Sequence, residues 1–130
     1  MATLNQTEAS AASGVDIDSA ADVEEAAGKI TEMIGCGGLV ITRGAHGLSV
    51  FERGKLTGHI PAVESEVYDV AGAGDTVISA LTIALSCGLG LVDAGMIANC
   101  AGGAVVRKVG VATTSVVEIK ELLAGLERRH

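Results

Sequence analysis

The sequence predicts an α/β layered fold. Segments in which apolar residues recur at helical spacing alternate with short runs of β-favouring residues. The clearest helix pattern lies between Ser19 and Gly35. The clearest strand is Gly38–Thr42, a short run between glycines, as is typical of a buried parallel strand. This alternation indicates a sheet with helices packed against it.

The helix that follows Ser19 has a start signal and a stop signal. Ser19 is the expected N-cap, Asp22 three residues later completes a capping arrangement, and Gly35 ends the helix. Its predicted apolar face consists of Val23, Ala26, Ala27, Ile30, Met33 and Ile34.

The remaining elements are predicted from similar signals. In chain order they are strands at residues 48–52 and 56–60, a helix from the glycine-rich stretch near residue 72 to about residue 86, a helix at 94–107, and a last helix with an apolar face at Ile119, Leu122, Leu123 and Leu126. Arg53-Gly54-Lys55 is the turn signal between the strands, Gly88 closes the third helix, and the stretch 114–118 supplies a capping box for the last.

Composition excludes several classes of function. The chain has 130 residues, enough for one domain, and 48% of them are hydrophobic, which favours a folded globule. With 2% aromatic residues and a formal charge of −7, the chain is not expected to bind nucleic acid or anionic lipid. No apolar run reaches the length of about 18 residues that a membrane span needs, and the start does not resemble a signal peptide. We therefore expect a cytoplasmic protein.

The cysteines fit neither a disulfide framework nor a zinc site. Cys36, Cys87 and Cys100 are odd in number and widely spaced. We expect all three to be reduced, buried and structural.

The stretch VYDVAGAGDTVISALTIAL, from Val67 to Leu85, places an acid inside a small-residue turn that opens a helix. Gly72, Ala73 and Gly74 leave the first backbone N–H groups of that helix uncovered, and such N–H groups bind phosphate well. Asp75 next to this anion hole could take a proton from an alcohol. It could equally be a first-turn acid that the helix dipole favours. The local sequence leaves both interpretations open.

Three motifs in order resemble those of the ribokinase-like (PfkB) carbohydrate kinases. DVAGAGDTVISAL is similar to the family's carboxy-terminal signature, Asn5-Gln6-Thr7-Glu8 to its N-x-x-E motif, and Thr42-Arg43-Gly44-Ala45-His46-Gly47 to its T-x-G-x-x-G nucleotide loop. Residues 97–101 resemble its adenine-side helix. Within the family, the sequences of these motifs are most similar to those of kinases of heptose 7-phosphate, which are often fused to an adenylyltransferase. The resemblance implies a ribokinase-like layered fold, of which residues 1–130 would be the carboxy-terminal, nucleotide-binding half.

The resemblance also implies the reaction and its residues. ATP would phosphorylate a hydroxyl of a sugar or sugar phosphate, with Asp75 as the base and the backbone N–H groups of Gly72, Ala73 and Gly74 as the anion hole. The implied nucleotide-binding residues are Asn5, Gln6, Thr7, Glu8, Thr42, Gly44, Gly47 and Asn99.

Two cation sites follow from the same resemblance. Asn5 and Glu8 would hold Mg²⁺ through its waters, since Mg²⁺ prefers oxygen ligands. Asp69 would help to build a monovalent-cation site, for example for K⁺. Simpler alternatives remain for the other positions: Asn5 and Glu8 could be a frayed cap, Thr42 and its glycines an ordinary turn, and Asn99 a satisfied helix amide.

The chain departs from the family mainly in length. Ala71 replaces a usual Thr and Leu4 a usual Pro, but the larger difference is that the sugar-binding half is expected to be missing. Two alternatives to a heptose 7-phosphate kinase remain. One is a nucleotide-binding or assembly module without catalytic activity. The other is another kinase of the family, such as a ribokinase or fructokinase. We also expect the chain to self-associate, or to pair with the missing half, through an exposed edge at Gly38–Thr42.

Overall fold

The computed structural model describes residues 1–62, 73–106 and 114–129. The chain divides into two compact units, Met1–Pro61 and Ala62–His130. The first unit contains a four-stranded sheet with two α-helices, and the described part of the second contains three α-helices. The predicted α/β architecture is therefore confirmed.

The helices and strands have the following bounds. The first unit contains β1 (Ala2–Asn5), α1 (Gln6–Ser13), α2 (Ala20–Ile34), β2 (Gly38–Thr42), a 3₁₀ turn (Gly44–His46), β3 (Leu48–Glu52) and β4 (Lys55–Ile60). The second unit contains α3 (Ala73–Ser86), α4 (Leu91–Val106) and α5 (Val116–Arg129). Across these described stretches, no helix combines the length and the apolar character that crossing a membrane requires.

Strand β2 lies inside the sheet, whose order is β1-β2-β3-β4. It pairs in parallel with β1 and in antiparallel with β3. Leu39, Val40 and Ile41 are all buried, so β2 is covered on both faces, as expected. The expectation that Gly38–Thr42 is an exposed edge is wrong, because β1, which the sequence did not predict, pairs with it.

Helix α2 begins and ends where the sequence predicts. The Ser19 hydroxyl accepts a hydrogen bond from the Asp22 N–H at 3.3 Å, and the Asp22 carboxylate accepts from the Ser19 N–H at 3.0 Å. A further bond from the Asp18 N–H is the main cause of the lowered pKa of Asp22. Gly35 ends the helix with a φ of 64°, in the left-handed region that glycine favours.

The core of the first unit lies between α2 and the sheet. Val23, Ala26, Ala27 and Ile30 of α2 are buried in a cluster with Leu39, Ile41 and Phe51 of β2 and β3. Met33 and Ile34 were predicted on the same face but are 65% and 55% exposed. Both occupy the last turn of α2, beside Gly35, where the chain leaves the helix.

The β3–β4 hairpin turns at Arg53 and Gly54. Their φ angles are 53° and 80°, and two positive φ values in succession are typical of the tight turns that join antiparallel strands. An irregularity between Val50 and Phe51 then shifts the strand register by one residue. Because of this shift Ser49 pairs with His59.

The helices of the second unit also agree with the sequence at most of their ends. Helix α3 ends at Ser86, followed by Gly88 with a φ of 90°. Helix α4 begins at Leu91, three residues before the predicted start at residue 94. At the start of α5, the Ser115 hydroxyl accepts a hydrogen bond from the Glu118 N–H at 3.2 Å. The predicted apolar residues of α5 are half-buried: Ile119, Leu122, Leu123 and Leu126.

All three cysteines are free thiols, as predicted. All three were predicted to be buried. Cys100 is buried, Cys36 is partly buried and Cys87 is exposed, so the prediction is confirmed only for Cys100. Burial raises the pKa of Cys100 to about 11, so this side chain stays protonated at neutral pH.

Candidate active site

Two of the predicted motifs meet at the carboxyl ends of strands β1 and β2. Asn5 and Thr42 are the last residues of the parallel strands β1 and β2, and they face each other in the strand register. Helix α1, which carries Glu8, follows Asn5, and the 3₁₀ turn follows Thr42. The carboxyl ends of parallel strands are where open α/β sheets bind their ligands. Residues far apart in sequence thus lie together where a nucleotide site is expected.

Asn5 and Glu8 form a capping box at the start of α1. The Asn5 Oδ1 accepts a hydrogen bond from the Glu8 N–H at 2.7 Å, and the Glu8 Oε2 accepts from the Asn5 N–H at 2.8 Å. Both residues are exposed. The cap is therefore formed and not frayed, so a capping role for these two residues is confirmed.

The capping box is compatible with binding of a metal ion through its water molecules. The second carboxylate oxygen of Glu8 has no hydrogen bond to another described residue, so it can accept one from a metal-bound water. Mg²⁺ usually keeps several of its waters, which fits a pair of exposed oxygen groups better than a closed cage. Among the described residues there is no group of three or more His, Cys, Asp or Glu side chains that could hold a metal directly.

The other residues of the N-x-x-E motif differ in their surroundings. Gln6 donates a hydrogen bond from Nε2 to the Ile17 carbonyl at 3.2 Å, which ties α1 to the segment before α2. Thr7 is exposed on the first turn of α1.

Stability and nucleotide binding can be separated at Asn5. Asn5→Ala should lower the free energy of unfolding by about 1 kcal/mol, the usual cost of removing an N-cap, and should also weaken Mg-ATP binding. Ser19→Ala, at the matching capping box of α2, is the control. It should cost similar stability and leave nucleotide binding unchanged. Chemical denaturation and calorimetric titration measure the two effects. Equal nucleotide binding by both variants would show that Asn5 is only a cap.

The T-x-G-x-x-G stretch forms a tight loop. The Arg43 N–H donates to the Gly47 carbonyl at 2.7 Å, and the Gly47 N–H donates to the Gly44 carbonyl at 3.1 Å. Gly44 and Gly47 have φ angles of 55° and 83°, which favour glycine. A Cβ built on Gly44 would meet nothing within 4 Å. The backbone conformation alone explains the glycines, and the open space beside Gly44 also lets a ligand approach the backbone.

The predicted anion hole lies at the start of α3. Ala73, Gly74 and Asp75 are its first three residues, so their N–H groups have no acceptor within the helix. Gly74 is exposed, and a Cβ built on it would meet nothing within 4 Å. Gly72 and Asp69 lie outside the described residues.

Asp75 is exposed in the first turn of α3. As the third helical residue it occupies the position from which an acid caps a helix start, so its place fits both the cap and the base. Asn99 lies on α4 and is only 9% exposed, between the buried residues Ala98 and Cys100. That burial fits either helix packing or an amide that faces a ligand.

A pocket in the first unit whose lining includes Arg43, Ser49 and His59 was not predicted from the sequence. Arg43 lies inside a recognised motif, but nothing in that motif singles it out. Ser49 and His59 lie on different strands, and only the shifted register pairs them.

The chain belongs to the pfkB family of carbohydrate kinases, whose family model matches residues 1–118. It is similar to the bifunctional protein HldE of Trichlorobacter lovleyi, at 44% identity over 128 residues, covering 98% of this chain and 26% of the relative. HldE of Pelobacter propionicus is 41% identical over 122 residues, which is 94% of this chain and 25% of the relative. The chain thus spans about a quarter of the length of these curated relatives.

Solved structures confirm the ribokinase-like fold. Phosphofructokinase-2 from Escherichia coli, in complex with potassium, matches with a TM-score of 0.86 at 23% identity. That match covers 97% of this chain and 40% of the solved one. Ribokinase from Arabidopsis thaliana, complexed with ribose and ATP, matches with a TM-score of 0.84 at 22% identity, over 93% of this chain and 39% of that one.

Proposed function

We propose that this chain is the nucleotide-binding part of an ATP-dependent sugar kinase. One observation carries the proposal: Asn5 and Thr42 face each other at the carboxyl ends of two parallel strands, so that the two nucleotide motifs share one sheet edge. Membership of the pfkB carbohydrate kinase family supports the same reaction class. Because the reaction uses ATP, we place it in the cytoplasm.

In the proposed mechanism, Asp75 accepts the proton of the acceptor hydroxyl as that oxygen attacks the γ-phosphorus of ATP. The bond between the γ-phosphorus and the bridging oxygen breaks, and ADP leaves. The N–H groups at the start of α3, including those of Ala73 and Gly74, stabilise the negative charge on the transferring phosphoryl group. Gly72 is proposed to complete this anion hole.

The remaining predicted residues bind the nucleotide and its cations. Thr42, Gly44 and Gly47 would lie along the nucleotide, and Asn99 near the adenine or ribose. Asn5 and Glu8 would orient the waters of Mg²⁺, which neutralises phosphate charge when bound. Asp69 would contribute to a K⁺ site, an idea supported by the potassium complex of the phosphofructokinase with the same fold.

We propose D-glycero-D-manno-heptose 7-phosphate as the acceptor, phosphorylated on its 1-hydroxyl in the synthesis of ADP-heptose for lipopolysaccharide. The support is the similarity, at 41% and 44% identity, to proteins named HldE. The alternative enzymes are a ribokinase or a fructokinase. The alternative of another class is a nucleotide-binding or assembly module without catalysis. Binding of ATP without phosphoryl transfer, even when the rest of a kinase is supplied, would favour that module.

ATP binding is tested most directly at Gly74. Gly74→Ala adds one methyl group in open space on a helix, so it should keep the fold and raise stability by up to about 1 kcal/mol. The same methyl group would stand where phosphate approaches the backbone, and we expect ATP affinity to fall by about tenfold or more. Gly28→Ala in α2, also in open space, is the matched control. It should gain similar stability and bind ATP as the unchanged chain does. Calorimetric titration with Mg-ATP measures the affinities. A folded chain that binds no ATP would overturn the proposal.

A further inference from the structure

A small pocket, lined mainly by apolar surface, lies in the first unit between the amino-terminal half of α2 and the β3–β4 hairpin. Its volume is about 110 Å³, whereas about 10–15 Å³ is enough to hold one water molecule. Phe51 and Leu56 form part of its wall, together with the polar side chains of Arg43, Ser49 and His59. The pocket has space for a small ligand, and its lining does not include the Gly44–His46 turn.

Ser49 and His59 form a hydrogen-bonded pair in this pocket. The Ser49 Oγ and the His59 Nδ1 are 3.2 Å apart, in the register that the shift between Val50 and Phe51 produces. Ser49 is 4% exposed, whereas His59 is exposed. When the His59 Nδ1–H donates to the Ser49 Oγ, the Ser49 hydroxyl proton is free to donate to a ligand.

Arg43 brings a positive charge that no described residue neutralises. Its Nε is fully buried and has no hydrogen-bond partner. Glu24 also lines the pocket, yet no ion pair joins it to Arg43. A buried donor without a partner destabilises a folded protein, and more so when the group is charged. Arg43 as a whole is only partly buried, so a negatively charged group in the pocket would offset its positive charge.

We propose that this pocket binds a small oxyanion, such as inorganic phosphate or a small carboxylate. Arg43 donates from its guanidinium, Ser49 donates from its hydroxyl, and His59 orients Ser49. Arg43 and Ser49 therefore both donate to the same anion, and the hydrogen bond from Arg43 is charge-assisted. This pocket differs from the proposed nucleotide site, because its lining residues other than Arg43 come from α2 and the β3–β4 hairpin.

Replacement of Glu24 should change anion affinity in the direction opposite to replacement of Arg43. The Glu24 carboxylate is a like charge for a bound anion, and it is exposed at the pocket. Glu24→Gln should therefore tighten anion binding, whereas Arg43→Gln should weaken it by about tenfold or more. A purely structural role for Arg43 predicts no gain from Glu24→Gln.

Nuclear magnetic resonance of the 130-residue chain without nucleotide tests the site. Inorganic phosphate, and acetate in a parallel titration, are added at constant ionic strength while the Arg43 Nε–H and His59 ring signals are followed. We expect saturable shifts of both signals. The His59 shift should be lost in Arg43→Gln, and both shifts should be lost in Ser49→Ala. Arg53→Asn is the control: it removes a cation from the hairpin turn, outside the pocket, and asparagine tolerates the φ of 53° there. This variant should bind as the unchanged chain does.

The outcomes separate the possibilities. Saturable shifts with phosphate alone, or with acetate alone, identify which oxyanion the site prefers and support it. Absence of saturation with both anions overturns the proposal. So do shifts confined to the amides of Gly44 and Gly47, because these would place the anion at the nucleotide loop. Failure of ATP binding leaves this test unaffected, since no nucleotide is present.

Discussion

Replacement of Asp75 by asparagine, in an active kinase that contains these residues, should lower turnover by about 10² or more and leave ATP binding nearly intact. A positioned general base contributes about 10²–10⁴ to the rate, and asparagine keeps the size of the side chain but cannot accept the proton. Asp75 is exposed at the start of α3, so the exchange should not disturb the core. Steady-state kinetics and calorimetric titration with ATP measure the two quantities.

Asp93 provides a matched control for this experiment. It is the third residue of α4, as Asp75 is the third residue of α3, and it is also exposed. Each Asp→Asn exchange should cost about 0.3–1 kcal/mol through the helix dipole. Only the exchange at Asp75 should slow the reaction. If both variants turned over like the unchanged enzyme, Asp75 would be a first-turn acid and no more.

The parts of the fold that the sequence predicted correctly are those with local signals at both ends. Ser19 and Gly35 determine α2, because a side-chain cap and a left-handed glycine are properties of a few neighbouring residues. Arg53 and Gly54 determine the hairpin in the same way. These signals depend little on the rest of the molecule.

The elements that were missed depend on pairing with distant residues. Strand β1 is only four residues long, and its strand conformation comes from pairing with β2, more than thirty positions away in the chain. The sequence identified Asn5 and Glu8 as a motif, with a frayed cap as the alternative. Their spacing is also that of the capping box that they form. The register of that pairing, which brings Asn5 beside Thr42, could not be derived from either segment alone.

The candidate sites also depend on pairing between residues that are distant in the sequence. A hairpin with a two-residue turn and regular pairing would place Ser49 opposite Gly58, whereas the shift at Val50 and Phe51 places it opposite His59. A register shift of this kind has no reliable signal in a single sequence. The nucleotide motifs could be found because they are contiguous, and the oxyanion pocket could not because its polar residues come from separate elements.

The isolated 130-residue chain should form dimers and should phosphorylate no sugar. The chain spans 40% of the solved phosphofructokinase with the same fold, and we propose that the sugar pocket lies in residues outside these 130. Strand β1 has β2 on one side and no strand on the other among the described residues. It contains no charged residue, whereas β4 at the opposite edge carries Lys55 and His59. An uncharged edge strand pairs readily with a second copy.

A charge on β1 tests this mode of association. Thr3→Lys should shift the chain to monomers, because lysine on an edge strand opposes strand pairing, whereas Thr3→Val keeps the strand uncharged and should stay dimeric. Light scattering over a range of concentrations measures the mass, and a coupled ADP-release assay with heptose 7-phosphate measures activity. A dimer that persists in Thr3→Lys would mean that another surface joins the copies, and a monomer at every concentration would contradict association altogether. Sugar phosphorylation by the chain alone would show that these residues already contain an acceptor site, since ADP release that depends on the sugar requires one.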